Sequence, residues 1–224
     1  MTIINAMTQG KAAHIITDTA YCNPDGTVAA LASKFIVGRA FPFLIAPTGN
    51  PNLFRLAAII DEARPRSGND LIREMPEILR ALEASGGSHE LDAGFVIATW
   101  NKRHGRPMLH LIANTDNHWP GVLTPLEPYF IEYVIGGQIT VDDALGRRVD
   151  VSDPRSFDPH RDGKILVDVQ RRKHRFEHLG TPAHRIGGAV EVGTLTRHRA
   201  SIREIHQWPE DRIGSLIEPA MEEA

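Results

Sequence analysis

One cysteine, Cys22, occurs in the 224 residues, so no intrachain disulfide can form. Such scarcity fits a reducing compartment. Charge of one sign is not in excess either. Lys plus Arg number 25 against 28 for Asp plus Glu, a formal net charge of −3. That near-balance argues against a dedicated nucleic-acid binder, which usually carries a basic excess. No window approaches the ~18 consecutive apolar residues of a membrane helix. The opening Met1-Thr2-Ile3-Ile4-Asn5 lacks the basic region and apolar core of a signal peptide. The expected location is therefore cytoplasmic, with neither nucleic acid nor membrane as partner. Internal repeats, low-complexity tracts and phosphate-cradling Gly-rich loops are also missing. What remains is an ordinary globular composition, 42% apolar and 24% charged. A chain this long buries roughly 70% of its unfolded surface on folding, enough for one compact domain without staples. Residues 1–224 read as that domain, with 209–224 as a poorly structured acidic tail.

The hydrophobic pattern opens with a hairpin. Thr2 to Thr8 and Ala12 to Asp18 are strand-like, and Gln9-Gly10-Lys11 supplies the turn. Asn23-Pro24-Asp25-Gly26 is a loop, and strands are expected over Ala32 to Val37 and Phe41 to Ala46. A helix then begins, with Asn50 as N-cap and Pro51 at the first helical position, and Pro65 closes it. A second amphipathic stretch runs from Asp70 to Ala84, where Pro76 predicts a kink or two short pieces. Ala93 to Trp100 and Pro107 to Ala113 read as paired strands, and 114–128 as a loop. Tyr129 to Ile135 fits either strand or helix. A third helix is expected from Arg161 to Phe176, and alternation resumes over Ile186 to Trp208. Strands clustered apart from paired helices predict an α+β layered domain.

The amino terminus carries the chemistry. A small residue after the initiator methionine normally permits methionine removal, which leaves Thr2 with a free α-amine. Such an amine titrates near about 7.7–8.0 and is able to take the proton of the Thr2 hydroxyl. Asp18 ends the hairpin's second strand, so its carboxylate returns beside the hairpin's start. Lys34 follows in a strand-like segment. Its ammonium would lower the amine's proton affinity, and Asp18 would hold the lysine charged.

Thr2 and Asp18 lie sixteen positions apart, and Thr2 and Lys34 thirty-two. With Ser33-Lys34-Phe35 and the surrounding order of elements, these spacings resemble the threonine, aspartate and lysine of proteasome-type N-terminal nucleophile (Ntn) hydrolases, such as proteasome β subunits and related bacterial ring proteases. The resemblance implies a four-layer αββα sandwich, with Thr2 as nucleophile and Asp18 and Lys34 tuning it. Backbone N–H groups of Thr48 and Gly49, in Ala46-Pro47-Thr48-Gly49-Asn50, would hold the oxyanion. It further implies a peptide or protein substrate, a homo-oligomer such as a ring, and no metal or organic cofactor. The sequence departs from the family where supporting polar side chains are usual. Ile135 precedes Gly136-Gly137, and Ala183 and Ile186 precede Gly187-Gly188. A catalytically inactive structural or assembly protein of the same fold is the alternative.

The other candidates carry less. His174 and His178 share a helical face with His184 beyond, but the H-E-x-x-H pattern is missing, and no metal site is expected. Arg171-Arg172-Lys173-His174-Arg175 reads as a solvated helix end. Cys22 has no neighbouring base in sequence and is not expected to act as a nucleophile.

Overall fold

The computed structural model describes residues 3–49, 51–86, 92–119, 121–137, 139–175 and 182–220. The elements follow in chain order. Strands β1 (Ile4–Gln9), β2 (Ala12–Asp18), β3 (Ala20–Cys22), β4 (Val28–Leu31), β5 (Ile36–Val37) and β6 (Phe43–Gly49) precede helices α1 (Leu53–Ala63) and α2 (Gly68–Ser85). Then come β7 (Ala93–Asn101), β8 (Arg106–Ala113), β9 (Tyr129–Ile131), β10 (Tyr133–Val134), α3 (Val141–Leu145), α4 (Asp162–Lys173), β11 (Ala189–Leu195) and β12 (Ala200–Gln207).

The expected α+β four-layer αββα sandwich is corrected by this structure, which consists mostly of antiparallel sheet with few helices, 35% strand against 23% helix. Two five-stranded sheets, ordered β10-β1-β2-β11-β12 and β5-β6-β7-β8-β9, hold most of the strands, and β3 and β4 form a third, small one. Segments left as loop or unassigned in the sequence supply the surplus strand. The stretch from Tyr129 becomes β9 and β10, each at the edge of one large sheet, because its backbone finds β8 and β1 as partners.

Alternation along the strands divides the core. Ile15 and Ala13 of β2 share an apolar cluster with Leu44 and Ala46 of β6 and Val96 and Ala98 of β7, so the two large sheets meet through these faces. Ile16, one residue on, points the other way, into a cluster with Leu166 and Val169 of α4. The opposite face of β6 and β7 offers Ile45, Phe95 and Ile97 to Leu56 of α1 and Leu71, Met75 and Leu79 of α2. A one-residue slip of register would exchange these faces, which is why β1 and β2 pair in a single frame from Ile4↔Thr17 to Gln9↔Ala12.

Two helix readings change. The N-cap of α1 is Asn52, whose side chain accepts from the Arg55 N–H at 3.0 Å, while Asn50 lies outside the described residues. Pro76 does not divide α2, which runs unbroken through it from a Ser67 cap. The apolar face of Leu71, Met75, Ile78, Leu79 and Leu82 holds the helix against the sheet despite the missing N–H. Helix α4 ends at Lys173, and Phe176 lies outside the described residues.

His14 on β2 makes stability pH-dependent. Its Nδ1 lies 3.1 Å from Thr194 Oγ1, and its ring meets His160 edge-on at 6.3 Å. Burial first and His160 second lower its pKa to about 4, against a smaller opposing effect of Asp158. The unfolded chain, with histidine near 6.5, therefore binds the proton more readily than the folded one. Stability from this site is complete above about pH 6.5 and falls as pH drops toward about 4, by about 2–3 kcal/mol. Urea unfolding at about pH 7 and about pH 5 should show this slope, and His14→Gln should flatten it.

Candidate active site

The site grows from the end of the opening hairpin. Pairing of Ile4 with Thr17 brings Asp18 opposite Ile3, and the Ile3 N–H donates to Asp18 Oδ1 at 3.4 Å. Lys34, between β4 and β5, donates from Nζ to the same oxygen at 2.8 Å. The Lys34 and Asp18 side chains are 1% and 0% exposed, so this is a fully buried ion pair. Such a pair persists when the remaining lone pairs are satisfied. Asp18 Oδ2 accepts from the N–H groups of Ala20 and Gly187, each at 3.2 Å. Four donors thus fill the roughly four acceptor positions of a carboxylate.

Tyr21 and Cys22 of β3 lie close to the pair. The Tyr21 ring centroid lies 5.3 Å from Nζ, within cation–π range. Burial, then the charge of Asp18, pushes the Tyr21 pKa up to about 12, so the phenol stays neutral. Burial and Asp18 also raise the Cys22 thiol, whose Sγ donates to the Arg185 carbonyl at 3.7 Å. A raised thiol pKa agrees with the reading of Cys22 as no nucleophile.

The turn that reaches Asp18 is itself anchored. Gly187 N–H points to Asp18, while Gly188 N–H donates to Asp211 Oδ2 at 2.6 Å. Gly188 has φ +77, the left-handed region that glycine tolerates best. Asp211 forms a bidentate pair with Arg171, through Nη1 to Oδ2 and through Nη2 to Oδ1 at 2.8 Å. Both side chains are 1% exposed, and the Arg171 guanidinium lies over the Trp208 ring at 4.4 Å. Arg171 is therefore no part of a solvated helix end. The consecutive N–H groups of Gly187 and Gly188 thus reach two buried ion pairs.

Of the residues singled out in the sequence, Asp18 and Lys34 are brought together. Thr2 lies outside the described residues. Thr48 and Gly49 are the last residues of β6, in register with Gly94 and Ala93 of β7. Gly49 has φ +87, and the Asp92 carbonyl crowds the place a side chain would take. Among the described residues, no side-chain hydrogen bond or ion pair joins Thr48 or Gly49 to Asp18 or Lys34. Ile186 is buried at 1%, Ala183 at 8%, and Ile135 packs against the core, so none offers a polar group. His178 lies outside the described residues, and His184 Nδ1 donates to the Arg171 carbonyl at 2.9 Å. Among the described residues no group of three or more His, Cys, Asp and Glu is placed to hold a metal ion.

A largely apolar groove of about 820 Å³ is lined in part by Ser33 and Phe35, the chain neighbours of the buried Lys34. Tyr21, Ser33 and Phe35 line one side and Phe54 and Ala57 of α1 the other. Sequence reasoning missed Tyr21, the Gly187 N–H and the Arg171–Asp211 pair. Only Gly187 carried a local signal, in its glycine doublet.

No protein-family model matches the sequence, and no curated protein matches it. Solved structures do match in fold. Anbu (Gly-1) mutant from Hyphomicrobium sp. strain MC1 superposes with a TM-score of 0.62 at 15% identity, over 94% of this chain and 90% of that one. Anbu (ancestral beta-subunit) from Yersinia bercovieri does so with a TM-score of 0.62 at 12% identity, over 94% and 88%. A further Anbu structure from Hyphomicrobium sp. strain MC1 gives 0.62 at 13% identity, over 93% and 88%. The chain shares the fold of these Anbu structures. No described helix is long and apolar enough to cross a membrane.

Proposed function

We propose that this chain is a proteasome-like Ntn hydrolase that cleaves amide bonds in a peptide or protein, with Thr2, exposed by removal of Met1, as nucleophile. The observation that carries the reading is the buried Asp18–Lys34 pair, because the carboxylate oxygen that binds Lys34 also accepts from Ile3, the residue after Thr2. On this proposal Lys34 sets its ammonium beside Thr2. In the proposed reaction the Thr2 oxygen attacks the amide carbonyl carbon, and the hydroxyl proton passes to the α-amine. The C–N bond breaks as that proton moves to the leaving nitrogen, which leaves an ester on Thr2. Water then cleaves the ester by the same proton path. Lys34 keeps the amine's proton affinity low and favours alkoxide character, and Asp18 keeps Lys34 charged and in place.

The N–H groups of Thr48 and Gly49 are proposed to hold the oxyanion, a contribution of about 3–4 kcal/mol per donor. The apolar groove lined by Tyr21, Phe35 and Phe54 suits an apolar side chain of the substrate. No metal or organic cofactor enters the scheme. We further propose a single cytoplasmic domain that assembles as a homo-oligomer. The second reading, an inactive structural protein of this fold, is favoured by Ile135, Ala183 and Ile186 standing where polar support is usual.

A threonine-directed epoxyketone separates the two. The active reading expects one covalent adduct per chain, lost in Thr2→Ala. An unlabelled wild-type chain, or a Thr2→Ala variant that still labels, sinks it.

A further inference from the structure

We infer that the end of the two large sheets remote from Lys34 is a polyanion-binding face, built to hold the phosphodiester backbone of a nucleic acid through charge. Four hairpin turns form this end. In one sheet Leu195 pairs with Ala13, so the turn at 196–199 adjoins the turn at 10–11. In the other, Phe43 pairs with Thr99, which sets the turn at 38–42 beside that at 102–105. The two pairs of turns share one end of the molecule. Gly10 and Arg106 line the same small cleft, and Gly193 sits directly against Leu44 where the sheets face each other. Neighbouring hairpins in a sheet and facing sheets are each spaced by about 10 Å, so the turns form a compact array. It lies the length of β2, roughly 20 Å, from Asp18.

These turns contain no Asp or Glu. The β1–β2 turn presents Lys11 and the β5–β6 turn Arg39. The β7–β8 turn presents Lys102 and Arg103, with Arg106 just beyond, and the β11–β12 turn presents Arg197 and Arg199. All seven are exposed, and among the described residues none forms an ion pair. Glu132, which shares the cleft with Arg106, marks the rim of the array. The whole chain is at −3, so the rest of it carries a net −10 against this +7. The near-balance that speaks against nucleic-acid binding conceals a separation of charge.

Chemistry favours phosphate over a protein partner. Five of the seven cations are Arg, whose fork matches phosphate oxygens in pairs. A protein interface needs a desolvated apolar anchor at its centre. The large apolar side chains here are Phe41, half-buried and packed on Phe43 at 5.2 Å between ring centroids, and Phe130 at the cleft, over whose ring the Arg106 guanidinium lies at 6.0 Å. Backbone-only binding of nucleic acid needs no such anchor.

Fluorescence anisotropy with a labelled mixed-sequence DNA duplex of about two helical turns tests this, at salt between about 50 and 200 mM. The full chain should bind, with a slope of log K on log salt between about −3 and −6. Lys102→Glu with Arg103→Glu, and separately Arg197→Glu with Arg199→Glu, should each weaken low-salt binding at least tenfold and flatten the slope by about two. Lys164→Glu, an exposed charge on α4, should leave binding unchanged. Circular dichroism of each variant should match the wild type. The proposal fails if the duplex does not bind at low salt, or if both charge-reversed pairs bind like the wild type. It also fails if polyglutamate binds as tightly as DNA, which would assign the face to an acidic protein. Thr2 takes no part in this assay, so a negative result here leaves the hydrolase reading untouched.

Discussion

Lys34→Ala is expected to abolish epoxyketone labelling of Thr2 and to lower stability by about 3–5 kcal/mol. Both effects have one origin. Lys34 and Asp18 are fully buried 2.8 Å apart, so removing the ammonium strands a carboxylate that water cannot reach. The two losses are separable. Lys34→Met combined with Asp18→Leu replaces the pair by apolar groups of similar volume, an exchange that is often neutral for stability. The double variant removes the stranded charge but also takes the carboxylate from the N–H groups of Ile3, Ala20 and Gly187, so it should regain only part of the stability and none of the labelling. If Lys34→Ala labels like the wild type, the tuning role proposed for Lys34 is wrong. If it unfolds at the wild-type denaturant midpoint, the pair is not buried as described.

Arg171→Ala should cost a similar amount, about 3–5 kcal/mol, and lower the unfolding temperature by on the order of 10 °C. The variant loses a bidentate pair and leaves Asp211 buried with only the Gly188 N–H at 2.6 Å. It also uncovers the Trp208 ring over which the guanidinium lies, so tryptophan emission should change. The loss should not stay local. The adjacent N–H groups of Gly187 and Gly188 donate to Asp18 and to Asp211, so disturbing one pair shifts the turn that serves the other. In a double-mutant cycle Arg171→Ala and Lys34→Ala should couple by at least about 0.5 kcal/mol. Strict additivity, with unchanged emission in Arg171→Ala, would contradict the shared turn.

Much of the local structure was legible because it depends on neighbours in sequence. The opening hairpin, with its turn at Gly10, follows from alternation and one glycine. The apolar spacing of Ile72, Met75, Leu79 and Leu82 predicts α2, whose buried apolar face is Leu71, Met75, Ile78, Leu79 and Leu82. Pro76 does not split α2 into two pieces, since a tertiary face of buried side chains outweighs one missing N–H. The Asp18–Lys34 pair was legible because the hairpin fixes Asp18 and the short chain to Lys34 returns to it, although Lys34 sits between β4 and β5 and not in the expected strand. Arg171–Asp211 was not, since forty residues separate the partners and Arg171 sits in a run that reads as solvated. Burial of one member of a basic run depends on which chain packs over it. The fold class was misjudged for a related reason. Strand content at Tyr129–Val134 is decided by partners in two different sheets, which no local pattern announces.

The central claim is that a threonine at the processed chain start uses this buried carboxylate and ammonium. Intact mass of the protein isolated from the cells that make it tests that most directly. The account predicts a chain lighter than the full sequence by one methionine, with its amino terminus at Thr2. A protein that keeps Met1 has no free amine on Thr2, and that result would contradict the account.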